Sequence, residues 1–116
     1  MRQSVIVTVM LMLLGTTAAQ AHAALDRAEP RVGNTVRTAP HEVSLWFTQN
    51  IEPAFSTVTV TDGAGQRVDT GKPHVSGKVM SVPVRAAGPG TYRVNWRVVS
   101  VDSHTTEGNF TFRVGE

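Results

Sequence analysis

Two side chains near the C-terminus, Asp102 and His104, lie two residues apart, and both can bind a metal ion. On an extended strand that spacing places them on one face; in a turn centred on Ser103 they still converge. Taken alone, the triplet reads as a capped turn with a solvent-exposed imidazole. A third donor is needed before it reads as a site, and His22 is the candidate. It directly follows Ala19-Gln20-Ala21, a small-x-small cleavage pattern, so processing there makes it the first residue of the mature chain. Its α-amine and Nδ1 can then close a six-membered chelate ring on one ion. Both groups lose protons to a metal readily near neutral pH.

An amine nitrogen, two imidazole nitrogens and one carboxylate oxygen make a borderline-to-hard donor set. In a roughly square arrangement it suits Cu(II) or Ni(II), and Cu(II) leads the divalent affinity order. Zn(II) could take the same donors tetrahedrally, more weakly. Cu(I) prefers sulfur, and after cleavage only Met80 remains, in an apolar alternation that marks it as core. The expected site is therefore one Cu(II) ion on His22, Asp102 and His104. His41 and His74 have no partner of that kind and are expected in solvent.

The segment before His22 has the parts of a secretory leader. Arg2 gives a positive start, Val5 to Gly15 is apolar but too short to span a bilayer, and Thr16 to Ala21 is small and polar. Residues 1–21 are read as a cleaved signal peptide and residues 22–116 as one domain, exported to the periplasm. A rival pattern, Ala21-His22-Ala23, would release a chain starting at Ala24 and abolish the site.

Without Arg2 the chain keeps ten basic side chains against nine acidic ones. They are scattered, with no basic run and no interleaved aromatics, so nucleic-acid binding has no support. The absence of cysteine excludes disulfides, thiolate metal sites and thiol redox chemistry. A domain without these staples must be held by packing, so it should fold without metal and gain stability from a bound ion by mass action.

The elements that must position the three ligands read as β throughout. Ala23 to Ala28 is an N-terminal strand or arm. Val43, Leu45 and Phe47 alternate with Ser44, Trp46 and Thr48. Val58 and Val60 alternate with threonines, and Asp62-Gly63-Ala64-Gly65 turns into a return strand, Gln66 to Thr70. Gly71 to Gly77 is expected as a loop. Met80, Val82 and Val84 share a face, with Pro83 at an edge or bulge. Tyr92, Val94, Trp96 and Val98 share another, Trp96 serving as core and as a wall beside the metal. Glu107-Gly108 opens a last strand with Phe110, Phe112 and Val114 inward. The result is an all-β, immunoglobulin-like Greek-key sandwich or barrel of about seven strands. Tyr92, after a Gly-Pro-Gly corner, occupies the place of a tyrosine corner. Ser100, Asp102 and His104 lie at alternate positions and cannot easily form a nucleophile–base–orienter line. No phosphate-cradling glycine loop is present.

These residues carry a resemblance. His22-Ala23-Ala24-Leu25, Glu29-Pro30 with Gly33, and Pro40-x-x-Val43-x-Leu45-x-Phe47 lead to the most specific block, Gly90-Thr91-Tyr92-x-Val94-x-Trp96-x-Val98-Val99-Ser100-x-Asp102-x-His104. Gly108 and Phe110-x-Phe112-x-Val114 follow. Over the mature chain the sequence resembles the CopC family of periplasmic copper-binding proteins. The resemblance implies an immunoglobulin-like fold, Cu(II) bound through His22, Asp102 and His104, and a role in copper storage, trafficking or resistance, often beside a membrane copper transporter of the CopD type. The chain lacks the Met-rich loop of relatives with a Cu(I) site, which implies the Cu(II)-only type. It also carries Ser103 where the family usually has Gly, so a positive φ there would strain it. The expected protein is a monomeric carrier, not an enzyme. A structural immunoglobulin-like module with incidental histidines and a copper-dependent oxidative enzyme are the two alternatives.

Overall fold

The computed structural model describes residues 23–116. Residues 1–22, which hold the expected signal peptide and His22, lie outside them. Eight strands follow in order: β1 (Leu25–Glu29), β2 (Thr35–Val36), β3 (Glu42–Phe47), β4 (Thr57–Thr61), β5 (His74–Ser76), β6 (Val79–Pro83), β7 (Gly90–Val99) and β8 (Thr105–Val114). A single 3₁₀ turn, Pro53–Phe55, interrupts the β3–β4 connection. The strands form two four-stranded sheets, β1-β3-β6-β5 and β2-β8-β7-β4. With β2 counted as an offshoot of the first strand, the two orders are those of the ABED and CFG sheets of an immunoglobulin domain. The architecture is a sandwich and not a closed barrel.

Alternation explains the core. Val43, Leu45 and Phe47 of β3, Val58 and Val60 of β4, Met80 and Val82 of β6, and Tyr92, Val94 and Val98 of β7 are buried, and Phe110, Phe112 and Val114 of β8 join them. Within each set successive positions differ by two or four, so one face of each of these strands turns inward. Tyr92 stacks on Phe112, its cross-strand partner, with centroids 5.4 Å apart. The Tyr92 hydroxyl lies 2.9 Å from the carbonyl oxygen of Ala87 and 2.8 Å from that of Gly88. This is the expected tyrosine corner, closing the turn that feeds β7. On the outer face, the Arg27 guanidinium sits 3.8 Å above the Trp46 ring.

Three local expectations need correction. Gln66 to Thr70 does not form a regular return strand. It crosses from one sheet to the other, touching β4 at the Thr61–Arg67 bridge and the end of β6 at the Asp69–Val84 bridge. The Asp69 carboxylate, 3% exposed, accepts the Val60 amide proton at 2.8 Å and the Arg67 guanidinium at 2.7 Å. A side chain thus covers part of the β4 edge that a partner strand would otherwise cover. The expected loop at 71–77 contains β5, an edge strand paired with β6. The last strand opens at Thr105, not at Glu107, because β7 and β8 pair without a break from Gly90↔Val114 to Val99↔Thr105. Pro83 lies at the end of β6, beyond the reach of β5, where no ladder proton is required.

Candidate metal site

The long β7–β8 ladder delivers Asp102 and His104 to its tip. The connection is a three-residue loop, Val101-Asp102-Ser103. Ser103 N–H donates to Ser100 O at 2.8 Å, and Ser100 N–H donates to His104 O at 2.8 Å. Ser103 has φ = 76°. That is the left-handed residue that ends a three-residue hairpin built on a tight turn. A glycine would adopt it without penalty, so the serine carries the strain anticipated from the sequence.

The loop is braced from the side. Ile51 bridges Ser100, Glu52 N–H donates to Val99 O at 2.8 Å, and Val101 N–H donates to Asn50 O at 3.1 Å. Ile51 is buried beneath this contact. The β3–β4 connection therefore fixes the tip against the other sheet.

Asp102 and His104 come together. His104 Nδ1 lies 3.3 Å from Asp102 Oδ1. The same Oδ1 accepts the Ser100 hydroxyl. The Ser100 hydroxyl also holds Asp102 below the usual carboxylate range, with His104 adding to the effect. An anionic carboxylate beside an imidazole is a ligand pair, and both side chains are close to half exposed, so an ion can reach them. Donors about 2.0–2.1 Å from a shared ion are about 2.9 Å apart at adjacent corners of a square plane and about 3.3 Å apart on a tetrahedron. The 3.3 Å separation is thus compatible with both atoms sharing one ion.

Ser100 was not singled out from the sequence as a site residue, yet it is fully buried and orients the carboxylate. The available signal was its place at the end of the inward series Tyr92, Val94, Trp96, Val98. The order Ser100–Asp102–His104 puts the carboxylate in the middle. A serine nucleophile needs the imidazole there, so the geometry opposes a hydrolytic triad.

No group of three or more His, Cys, Asp or Glu suited to a metal occurs among the described residues. His41 and His74 are exposed and do not join the pair. His22, the third expected ligand, lies outside the described residues, but its neighbour does not. Ala23 is fully buried, and its carbonyl accepts the Thr106 hydroxyl at 2.7 Å. Thr106 is two residues beyond His104, at the start of β8.

Trp96 lies further along β7. It packs edge-on against Phe47 at 5.2 Å. Gly108, its cross-strand partner, has no room for a Cβ: one would sit 2.6 Å from Trp96 Cζ2. The Trp96 Nε1 proton is buried and has no partner among the described residues.

A sandwich with its metal-competent pair on the β7–β8 hairpin, beside the start of the first strand, defines a class, and the sequence places the chain within it. Residues 25–115 match the CopC domain model, so the chain belongs to the CopC family. It is 35% identical over 105 residues to "Protein YobA" of Escherichia coli K12, covering 87% of this chain and 85% of that protein. It is 34% identical over 110 residues to "Copper resistance protein C" of Xanthomonas campestris pv. juglandis, with 87% and 86% covered. Among solved structures, CopC from Methylosinus trichosporium OB3b is 29% identical with a TM-score of 0.75, covering 81% of this chain and 94% of that one. PcoC of Escherichia coli, described as a methionine-rich copper resistance protein, is 34% identical with a TM-score of 0.71, covering 81% and 99%.

Proposed function

We propose that this protein is a periplasmic Cu(II) carrier with a single site formed by the α-amine and imidazole of His22, the Asp102 carboxylate and the His104 imidazole. The observation that carries this reading is the exposed Asp102–His104 pair, donors 3.3 Å apart, on the hairpin beside which the N-terminal strand begins. The copper resistance proteins among the relatives give the cargo. The donor set, rich in nitrogen with one oxygen and no sulfur, favours the Cu(II) state.

Cleavage after Ala21 fits the packing around Ala23. A chain starting at Ala24 would lose a buried methyl group and the carbonyl that Thr106 binds. Asp102 can serve in two ways. It ligates directly if Nδ1 and Oδ1 share the ion; it orients the ring if Nδ1 keeps its proton and Nε2 ligates. The chain also matches 30% identically over 100 residues of "Copper transport protein CutJ" of Bacillus subtilis, only 18% of that protein. That name supports a place in copper transport, and the role we propose is delivery by a monomeric carrier to a membrane transporter of the CopD type. The carboxylate-centred Ser100–Asp102–His104 order and the relatives' roles in resistance favour a carrier over an enzyme.

The test is a competition titration of the exported protein with Cu(II) against a chromophoric chelator. One tight site is expected, with losses of a hundredfold or more in His22→Ala and His104→Ala. One extra residue before His22 should have a similar effect, because it removes the chelating amine. Unchanged affinity in all three would refute the reading.

A further inference from the structure

The start of the described chain is held by more than the β1 ladder. Ala24 N–H donates to Thr48 Oγ1 at 2.9 Å, and Thr48 N–H donates back to Ala24 O at 2.9 Å. Thr48 directly follows β3, in the first sheet. One residue earlier, Ala23 O accepts the Thr106 hydroxyl at 2.7 Å. Thr106 belongs to β8, in the second sheet. Residues 23 and 24 are thus clamped between the two sheets, with the Ala23 methyl fully buried.

The clamp lies close to the ligand pair. Thr106 pairs with Val98, one rung from the end of the ladder. His104 is two residues away, about 7 Å along an extended chain. On the other side, His22 is one peptide unit from Ala23, with Cα atoms about 3.8 Å apart. The Thr106–Ala23 bond is therefore a short non-covalent link between the strand that follows one imidazole and the residue joined to the other. In a flexible arm the His22 chelate would lose conformational freedom on meeting His104, and that cost would weaken binding. A clamp formed during folding removes much of it.

We infer that Thr106 is a positioning residue for copper, its hydroxyl fixing the N-terminal chelate against His104, with Thr48 holding the opposite side. The inference rests on the proposed His22 site. It concerns the side chain's reach to a main-chain carbonyl, so valine, with the same branching and no hydroxyl, isolates it.

The experiment compares exported wild type, Thr106→Val, Thr106→Ser and His22→Ala by Cu(II) competition titration, by electron paramagnetic resonance of the copper-loaded protein and by the apo melting curve. Thr106→Val should bind Cu(II) about five- to tenfold more weakly, the net worth of one hydrogen bond, with an altered copper spectrum. Thr106→Ser should restore both. If Thr106→Val lowers only the melting temperature while affinity and spectrum match wild type, and His22→Ala binds weakly, the positioning role fails and the N-terminal site stands. If His22→Ala also binds like wild type, the site and the inference both fail. Should Thr106→Val not fold, Thr48→Val breaks the other side of the clamp and is judged by the same two copper readouts.

Discussion

Gly108→Ala should be among the most damaging single-methyl changes in this protein. The added Cβ would lie 2.6 Å from Trp96 Cζ2, 3.0 Å from Cε2 and 3.3 Å from Cη2. The first distance is a hard overlap, and relief requires the ring or the strand to move. The ring is not free, because it abuts Phe47 edge-on and Phe47 is itself 2% exposed. The strand is not free either, because Gly108 sits inside ten continuous cross-strand pairs. Overpacking of this kind costs about 2 kcal/mol. For a domain of this size that is a fall in melting temperature of about 8–16 °C. Far-UV circular dichroism melts of the apo protein measure it, with Asn109→Ala on the opposite face as the control. Trp96→Leu removes all three clashing atoms, so adding Gly108→Ala to it should cost much less than adding it to wild type. A Gly108→Ala melting point within about 2 °C of wild type would refute the steric argument.

Other consequences can be checked with the same material. Ser103→Gly relieves a left-handed residue worth about 1–2 kcal/mol and returns part of that through the freer unfolded chain, so denaturant melts should show a small gain in stability. Tyr92→Phe deprives the corner carbonyls of Ala87 and Gly88 of their shared donor and should cost about 1–3 kcal/mol in the same assay. At Asp69, burial pushes the carboxyl upward, but the Arg67 hydrogen bond, the Val60 amide and the Arg67 charge outweigh it and hold the pKa low. A depressed pKa gives stability that is present above the unfolded value near 4 and lost as pH falls through the folded one. Asp69→Asn should therefore show a flatter stability profile below about pH 4 than wild type. Stoichiometric Cu(II) should raise the wild-type melting temperature and leave that of His104→Ala nearly unchanged.

Much of the fold is written in period-two alternation. β3, β4, β6, β7 and β8 each carry their buried residues at the positions the pattern marks, and Tyr92 announces its corner by following Gly88-Pro89-Gly90. The segments that escaped sequence reasoning are those whose partners are distant or whose bonds are not strand bonds. Residues 66–70 look like a returning strand, but the Asp69 side chain takes the Val60 amide in place of a ladder. β5 is three residues long and gains its conformation from β6, not from its own pattern. Gly108 reads as a strand opener until Trp96 is seen lying across it. At the site, the types and spacing of Asp102 and His104 suffice to predict convergence, and Ser103 is legible as a strained turn residue. Ser100 is legible only as the end of an inward series, and Thr106 is not legible at all, because its partner, the Ala23 carbonyl, is set by register across the sandwich. Sequence spacing does not contain that register.

The central claim is that a processed N-terminal histidine completes a copper site begun by Asp102 and His104. The most direct measurement is the intact mass of the exported protein under non-denaturing conditions, with and without one equivalent of Cu(II). The account predicts a chain beginning at His22 that retains one copper ion. A chain beginning at Ala24, or one beginning at His22 that retains no copper, would contradict it.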